Sequence, residues 1–506
     1  MSNETEKTEN PVAAGSVGSA SAIPAVSFMT LFPSIMVPMF LAMVDQTIVA
    51  TALPAMAASL GNVEQIAWVV VAYLISMAIA APVYGRLGDA FGRRRLMIVA
   101  LIVSIAGSLL CAVSVSLEML IAARVLQGLG GGGLMSLSQA LIGQSVQPRE
   151  RAQYQGYVSA VAMVASTLGP VLGGVLTEFL GWRSIFLVNI PLGLLAIFLV
   201  MKLPGRRGPR EAFRFDWGGL IFFTGFVWAL LVLVEQSRRR EDMDPYLIAA
   251  LAVTVVVTLL LLYWREKRAL SPLFPIPIMR NPTIWRSDLL VICHGGIIVS
   301  LITFLPLYFR VVRGASAAET GLYMLPMVWA IGVGALITGQ IVSRTGRLTI
   351  FPSVGLSVFS VMLALLALIA GSLTTLQFSI YIGAAALFLG TVMGVVHVTV
   401  TTEVGGKLLG TVSATVQLSR SLGAAFGTAL VSAVLFAVVA MTGADMGGPL
   451  QAILQGDAAI VDQLNAGDIA AIRADVATGF SAVYMTIAAM SAVACVLAWT
   501  IPRRTI

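Results

Sequence analysis

Charge is scarce in this chain: Asp, Glu, Lys and Arg together make up only 11% of its 506 residues. Histidine occurs twice and cysteine three times. A soluble surface needs far more charge than this, and a content of 58% hydrophobic residues exceeds what a soluble interior can hide. The cysteines (Cys111, Cys293 and Cys495) stand far apart in apolar runs, which excludes a disulfide framework. No cluster of His, Cys and carboxylates suggests a metal site, and no nucleophile lies at a telling distance from a base. The run "GLGGGG" at Gly128 has no following Lys-Ser/Thr and lies in an apolar stretch, so it is no phosphate loop. These absences predict a protein that is not an enzyme, holds no cofactor or metal, and draws energy from an ion gradient rather than ATP. The net charge of +7 comes without a basic patch interleaved with aromatics, so nucleic acid is not an expected partner.

What the chain does have is apolar runs of membrane-spanning length. They fall at 30–53, 66–84, 95–115, 117–142, 153–177, 184–203, 217–236, 245–264, 285–309, 318–341, 348–370, 377–400, 408–438 and 477–501. About 20 apolar residues suffice to cross a bilayer as a helix. The expected fold is therefore an all-α polytopic membrane protein with fourteen transmembrane helices. With both termini cytoplasmic, 22 of the 31 Lys and Arg residues fall on the inner side, 7 on the outer side and 2 within spans. That bias follows the rule that basic residues stay in the cytoplasm. The outward gap at 235–244, with Arg238, Arg239 and Arg240, runs against it. Residues 1–29 are expected to be a disordered cytoplasmic tail, since no basic segment precedes a short apolar core as in a signal peptide. The stretch 440–475 is expected to be a long extracytoplasmic loop.

Two short matches suggest a duplication. "GRLGDAFGRRR" at Gly85 pairs with "GQIVSRTGRLT" at Gly339, 254 residues on, and "TALPAM" with "TFLPLY", 252 residues on. Agreeing offsets predict two six-helix bundles, at 30–203 and 285–506, with a linker at 204–284 that carries two inserted helices. Such repeats are a plan of secondary transporters, which bind substrate between the halves.

Charged groups inside spans are costly and usually paired or functional. Asp45 lies eight residues before the end of span 1, about 12 Å deep at ~1.5 Å per residue. Arg124 lies seven residues into the oppositely directed span 4, at about 10 Å by the same rise. At a shared depth they can form an ion pair, either a static clasp between spans 1 and 4 or a proton switch. Burial disfavours an ionised carboxylate and a nearby guanidinium favours it, so relative motion of Arg124 would change the proton affinity of Asp45. Gln127, nearly one turn beyond Arg124, can join the pair or a ligand. Pro170 removes a helix hydrogen bond, while Gly169, Gly173 and Gly174 allow close packing. Gly85 and Gly92 are expected to permit a tight turn, with Asp89 placed to meet a helix N-terminus across the two halves. Trp329 sits mid-span, facing lipid, a packing partner or the cavity. Arg420 either binds helix carbonyls or faces the cavity and attracts an anionic group. His294 and His397 read as packing residues, and Glu403 as the inner end of span 12.

These stretches together resemble the major facilitator superfamily, in its fourteen-span drug:proton antiporter branch of the EmrB/QacA type. "DQTIVATALP" from Asp45 resembles that branch's first-helix signature, and "GRLGDAFGRRR" the superfamily loop between spans 2 and 3. "RVLQGLGGG" from Arg124, "ASTLGPVLGG" from Ala165 and "GWRSIFLVNIPLG" at 181–193 resemble its patterns in spans 4, 5 and 6. Ala165, Ala90 and Ser343 depart from the usual residues. The resemblance implies multidrug efflux across the bacterial inner membrane, with Asp45 and Arg124 in proton coupling. Gly85, Asp89, Gly92, Arg93, Gly169, Pro170, Gly173 and Gly174 would then serve conformational gating. Asp45, Gln127, Trp329 and Arg420 are expected to line a cavity for amphipathic substrates that are neutral or carry one positive charge, because no intramembrane acid was found in the second half. A dedicated exporter of an endogenous metabolite, lipid or siderophore-like compound, or a non-transporting sensor, are the alternatives. Whether a periplasmic adaptor docks is left open.

Overall fold

A computed structural model of the chain describes residues 27–61, 65–204, 215–237, 245–269, 272–274, 276–405, 408–441 and 466–506. The expected tail therefore lies outside the described residues up to 26, as does most of the gap at 235–244. Residues 28 and 29 already belong to the first helix. Of the expected loop 440–475, residues 442–465 lie outside, and 466–475 form the first turns of the last helix rather than loop.

Among the described residues, fourteen helical stretches are long and apolar enough to cross a membrane, the sixth, Ser184–Met201, made of a single turn and the helix after it. In chain order they are α1 Phe28–Leu60, α2 Trp68–Phe91, α3 Arg93–Ala112, α4 Leu117–Ser145, α5 Pro148–Leu180, α6 Asn189–Met201, α7 Trp217–Ser237, α8 Pro245–Glu266, α9 Pro282–Leu307, α10 Ala317–Thr345, α11 Ile350–Ile369, α12 Thr375–Glu403, α13 Leu409–Met441 and α14 Ala466–Thr500. A single turn, Ser184–Leu187, precedes α6, and α9 runs on through a widened π turn, Tyr308–Val312. The only pairing outside helices among the described residues is an isolated bridge between Arg347 and Thr505. All-helical architecture is what a bilayer demands, since each backbone donor must find its acceptor within the segment.

Local sequence sets several helix starts. Ser316 and Glu319 form a reciprocal capping box at α10, and Thr374 and Gln377 do so at α12. The Ser116 hydroxyl accepts from the Met119 amide at the start of α4. Between α2 and α3 the connection is a single residue, Gly92, with φ 98°. The tight turn expected at Gly85 and Gly92 is thus made by Gly92 alone. Gly85 lies inside α2, where a Cβ would come 2.5 Å from the Gly410 carbonyl oxygen of α13. Its role is close approach between helices, not turning.

That approach has a counterpart in the second repeat. Gly339 of α10 packs on the Ala152 carbonyl of α5, while Gly156 of α5 packs on Ala335 and Leu336 of α10. The two contacts, α2 with α13 and α10 with α5, are related by the eight-helix shift between repeats. Both involve residues near the end of the bundle that carries the first and last described helix termini. Toward the other end α5 stands away from such contacts: Val171, Val175, Phe179 and Leu180 are exposed. The halves therefore meet at one end and part toward the other.

Helix pairs within each half close on small residues. Gly128 and Gly132 of α4 rest on the Tyr73 and Met77 carbonyls of α2. Gly423 and Gly427 of α13 rest on Ile292 and Gly296 of α9. The inserted pair α7–α8 packs on α2 through Phe223, Val227 and Leu262 around Ala78, and Leu418 of α13 touches the same cluster. An ion pair of 2.8 Å between Asp216 and Arg265 ties α7 to α8 at their base.

The neighbouring glycines of α5 separate packing from mere flexibility. A methyl group at Gly173 would overlap the Ile48 carbonyl and Thr51 of α1, whereas Gly174 has nothing within 4 Å. Contrary to expectation, Gly174 is not a packing residue. We expect Gly173→Ala to lower stability by about 1–3 kcal/mol through overpacking. Gly174→Ala should be neutral or stabilise by up to ~1 kcal/mol through helix propensity. Thermal unfolding of the two purified variants in one detergent checks the contrast.

Candidate functional site

A buried polar network occupies the first half. Arg124 of α4 donates from Nη1 to Asp45 Oδ2 of α1 at 2.7 Å and to Gln127 Oε1 at 2.6 Å. Gln127 Nε2 donates in turn to Asp45 Oδ1 at 2.8 Å and to the Ser108 hydroxyl of α3 at 2.7 Å. Asn189, the first residue of α6, donates to the same Asp45 oxygen at 2.8 Å. Arg124 Nε reaches the Val69 carbonyl of α2 at 3.1 Å, and its guanidinium lies 4.1 Å from the Tyr73 ring centroid. Asp45 and Arg124 are 3% and 1% exposed. Five helices thus converge on one carboxylate, and three donors fill both its oxygens. A buried ion pair persists only with such compensation.

The local sequence explains the convergence. Arg124 and Gln127 are three residues apart, so they share a face of α4. The glycines that follow let α4 sink between α2 and α3, and Gly107 of α3 admits the Gln127 backbone. Asn189 lay within a quoted motif yet was not singled out; a polar residue among apolar ones at the head of span 6 was the available signal. Ser108 had no comparable signal.

A second polar cluster lies where the halves meet. Asp89, two residues before the end of α2, accepts from the Gly410 amide at 3.0 Å, the Thr411 amide at 2.9 Å and the Thr411 hydroxyl at 3.0 Å. These donors belong to the first turn of α13, where free amides and the helix dipole favour an anion. Arg93 bridges Asp89 at 2.6 Å and Gln144 of α4 at 2.7 Å. Asp89 therefore joins the halves through α13, and Arg93 fixes it from its own half. Gly410, Thr411 and Gln144 carried no sequence signal of their own.

In α5, Gly169 and Gly173 bring the helix onto Thr47, Ile48 and Thr51 of α1, within two turns of Asp45. The helix runs unbroken past Pro170, whose ring is exposed. Trp329 of α10 is 51% exposed and lies one turn before Gly332, which packs on Met163 of α5. It does not join the Asp45 network. Neither does Arg420, which makes no hydrogen bond to a helix carbonyl among the described residues. His294 Nε2 lies 3.1 Å from the Leu389 carbonyl of α12, as a packing histidine does. Glu403 ends α12 and accepts from Asn281 and Arg503, each at 2.9 Å, at the end expected.

One acid was missed. Asp288, two turns into α9, is 5% exposed, and neither carboxylate oxygen makes a hydrogen bond among the described residues, although the Ser419 hydroxyl stands beside it. The second half therefore does hold a buried carboxylate within a membrane-spanning helix, near the start of that helix, which the expectation did not include. Asp288 lies three residues into the apolar run 285–309, beside Arg286, and nothing else in the sequence sets it apart. No group of three or more His, Cys, Asp or Glu that could hold a metal occurs among the described residues.

Comparison with known proteins agrees with this architecture. The chain is 34% identical over 346 residues to "Efflux pump dotC" of Dothistroma septosporum (strain NZE10 / CBS 128990), a match covering 67% of this chain and 60% of that protein. It is 30% identical over 295 residues to "Multidrug resistance protein 3" of Bacillus subtilis (strain 168), covering 58% of each. The matches thus span about three fifths of those relatives' length. Among solved structures, the proton:xylose symporter XylE bound to 6-bromo-6-deoxy-D-glucose shares the fold, with a TM-score of 0.59 at 14% identity over 94% of this chain and 96% of that one. The family model of the Major Facilitator Superfamily matches residues 35–428. With fourteen spans among its described residues and that match over most of its length, the chain belongs to the major facilitator superfamily and is a multi-pass membrane protein.

Proposed function

We propose that this protein is a transporter that exports lipophilic compounds in exchange for protons across the plasma membrane, the inner membrane if the cell is bacterial. The carrying observation is the buried Asp45 carboxylate, held by Arg124, Gln127 and Asn189. A proton added to this carboxylate removes the charge that holds the guanidinium, so it weakens the bond from Arg124 to Oδ2. Arg124 is the donor whose departure changes the charge balance, so its displacement and the protonation of Asp45 are one coupled event. Efflux relatives at about a third identity support export as the direction of transport.

The two clusters divide the work. The contacts of Asp89 with α13 close the end that carries the termini, which the positive-inside bias assigns to the cytoplasm. On this reading the protein is in a state closed inward, with the halves parted outward. In the cycle, Asp45 receives its proton from the outer side, Arg124 is released, and the Asp89 contacts break as the inner side opens. Asp45 then gives up the proton to the cytoplasm and Arg124 returns. A lipophilic cation competes for the carboxylate while Arg124 is displaced. Gly169 and Gly173 hold α5 against α1 next to Asp45, so motion of α5 reaches the proton site directly.

In inverted vesicles with an imposed pH gradient, Asp45→Asn should abolish gradient-driven ethidium transport while the protein remains folded. Retention of transport with unchanged pH dependence would sink the proton-exchange reading. Arg124→Ala leaves Asp45 without its counter-charge and should cost about 3–5 kcal/mol of stability, measurable as a lower unfolding temperature. Asp89→Asn keeps the shape of the acceptor but loses its charge. It should slow turnover severalfold while ethidium affinity stays within about twofold, as a contact that stabilises one conformation predicts. Loss of binding would instead make the cluster a folding element.

A further inference from the structure

The two inner junctions between the halves are built differently. At the first, α2 on α13, the connection from α2 to α3 is the single residue Gly92, and Asp89 bonds across to the first turn of α13. At the second, α10 on α5, the residue 254 places after Asp89 is Ser343, whose hydroxyl donates to the Gln340 carbonyl of its own helix at 2.8 Å. The connection from α10 to α11 is also longer, residues 346–349, and it leaves α10 through Gly346 at φ 68°. What meets α5 there is apolar: Ala152 of α5 forms one cluster with Val342, Leu348, Val395 and Val398. Apolar contact has no preferred direction, so it fixes a slack turn less well than a set of hydrogen bonds does.

Residues that follow α14 supply those bonds. The Leu348 amide donates to the Arg504 carbonyl and the Ile506 amide to the Gly346 carbonyl, each at 2.9 Å. These bonds flank the bridge between Arg347 and Thr505, so residues 346–348 of the turn pair antiparallel with residues 504–506. The Ile506 side chain packs on the cluster that includes Ala152. Two more contacts set where the segment lies. Arg503 bonds Glu403 at the end of α12 at 2.9 Å, and Arg286 of α9 donates to the Thr500 carbonyl. Glu403 also accepts from Asn281, just before α9, at 2.9 Å. The pair of Arg503 and Glu403 is partly exposed, and such pairs contribute little by themselves. The main-chain pairing and the packing of Ile506 therefore carry the attachment. Apart from Ala152 in that cluster, all these partners belong to the second half. The segment thus acts on the junction by holding the turn and Val342 where α5 meets them.

We propose that residues 503–506 form a strap that pins the α10–α11 turn and so holds the second junction shut, in place of the acid that the first junction uses. The strap rests on the reading of this end as the closed, cytoplasmic one, but not on proton exchange or on any substrate. Hydrogen exchange read by mass spectrometry on full-length protein in nanodiscs, without ligand or pH gradient, tests it. Ile506→Asp places a charge against the apolar cluster. It should raise exchange about threefold or more at 150–156 of α5 and 339–345 of α10, and also at 409–412 of α13, because the two junctions open together. Ile506→Leu keeps the apolar contact and should exchange as the wild type does. Arg503→Gln should give a smaller rise at the same three places. A rise confined to 346–351, or no rise at all, would overturn the proposal, since the segment would then only steady its own turn. Unchanged exchange around Asp45 in α1 and Arg124 in α4 shows the variants to be folded. If Ile506→Asp disturbs those segments too, Arg503→Gln decides by the same criterion. Asp89→Asn, measured alongside, tests the closed-inward reading separately: it should raise exchange at 409–412 by itself, and absence of that rise would count against that reading rather than against the strap.

Discussion

An ionised carboxylate cannot stand alone in hydrocarbon, and much of the first half is arranged around that fact. Asp45 draws side-chain donors from α4 and α6, and the same donors reach α2 and α3. The tyrosine ring under Arg124 and the small residues of α4 follow from this need, because the guanidinium must lie close and flat to reach its acceptors. A network of this kind is costly to leave partly satisfied. It therefore has few tolerated arrangements, and the step between two of them would be a discrete event.

The second constraint is geometric. In the proposed cycle, two halves that part and rejoin can hold to one another only through contacts that break cleanly. The interface uses backbone against backbone, Gly85 on Gly410 and Gly339 on Ala152, with a few polar bonds from Asp89 to the first turn of α13. Such a surface buries little side-chain volume, so opening it leaves few cavities. The bonds from Asp89 supply direction: they exist only while the start of α13 lies over the end of α2. Arg93 holds Asp89 from its own half, so the carboxylate keeps one partner when the interface opens.

Hydropathy alone made the fourteen spans legible, because each run of apolar residues reports burial in lipid whatever its partners are. Depth was legible as well: the rise per residue placed Asp45 and Arg124 level with one another. Rotation about each helix axis was not. Gly173 and Gly174 are adjacent in sequence and look alike, yet one faces α1 and the other open space. Gly85 resembled a turn residue because its neighbours were charged, while the turn needs only Gly92. Asp288 was hidden by the same ambiguity: at the margin of an apolar run, a carboxylate inside a helix and one in a loop read identically. The Asn189 contribution depended on which face of a short helix meets α1, a fact of packing.

The two repeats have diverged in how they treat buried charge. In the first, Asp45 and Arg124 are paired and Asn189 Oδ1 is the one side-chain atom of that network left open. In the second, Asp288 and Arg420 occupy different depths on neighbouring helices and neither pairs with the other. His294 and His397 add further open nitrogens. Two-fold related scaffolds would be expected to hold related sites; here the common framework of close-packed glycines survives while the polar groups do not. A mutually satisfied network suits a switch, since its energy depends on internal rearrangement.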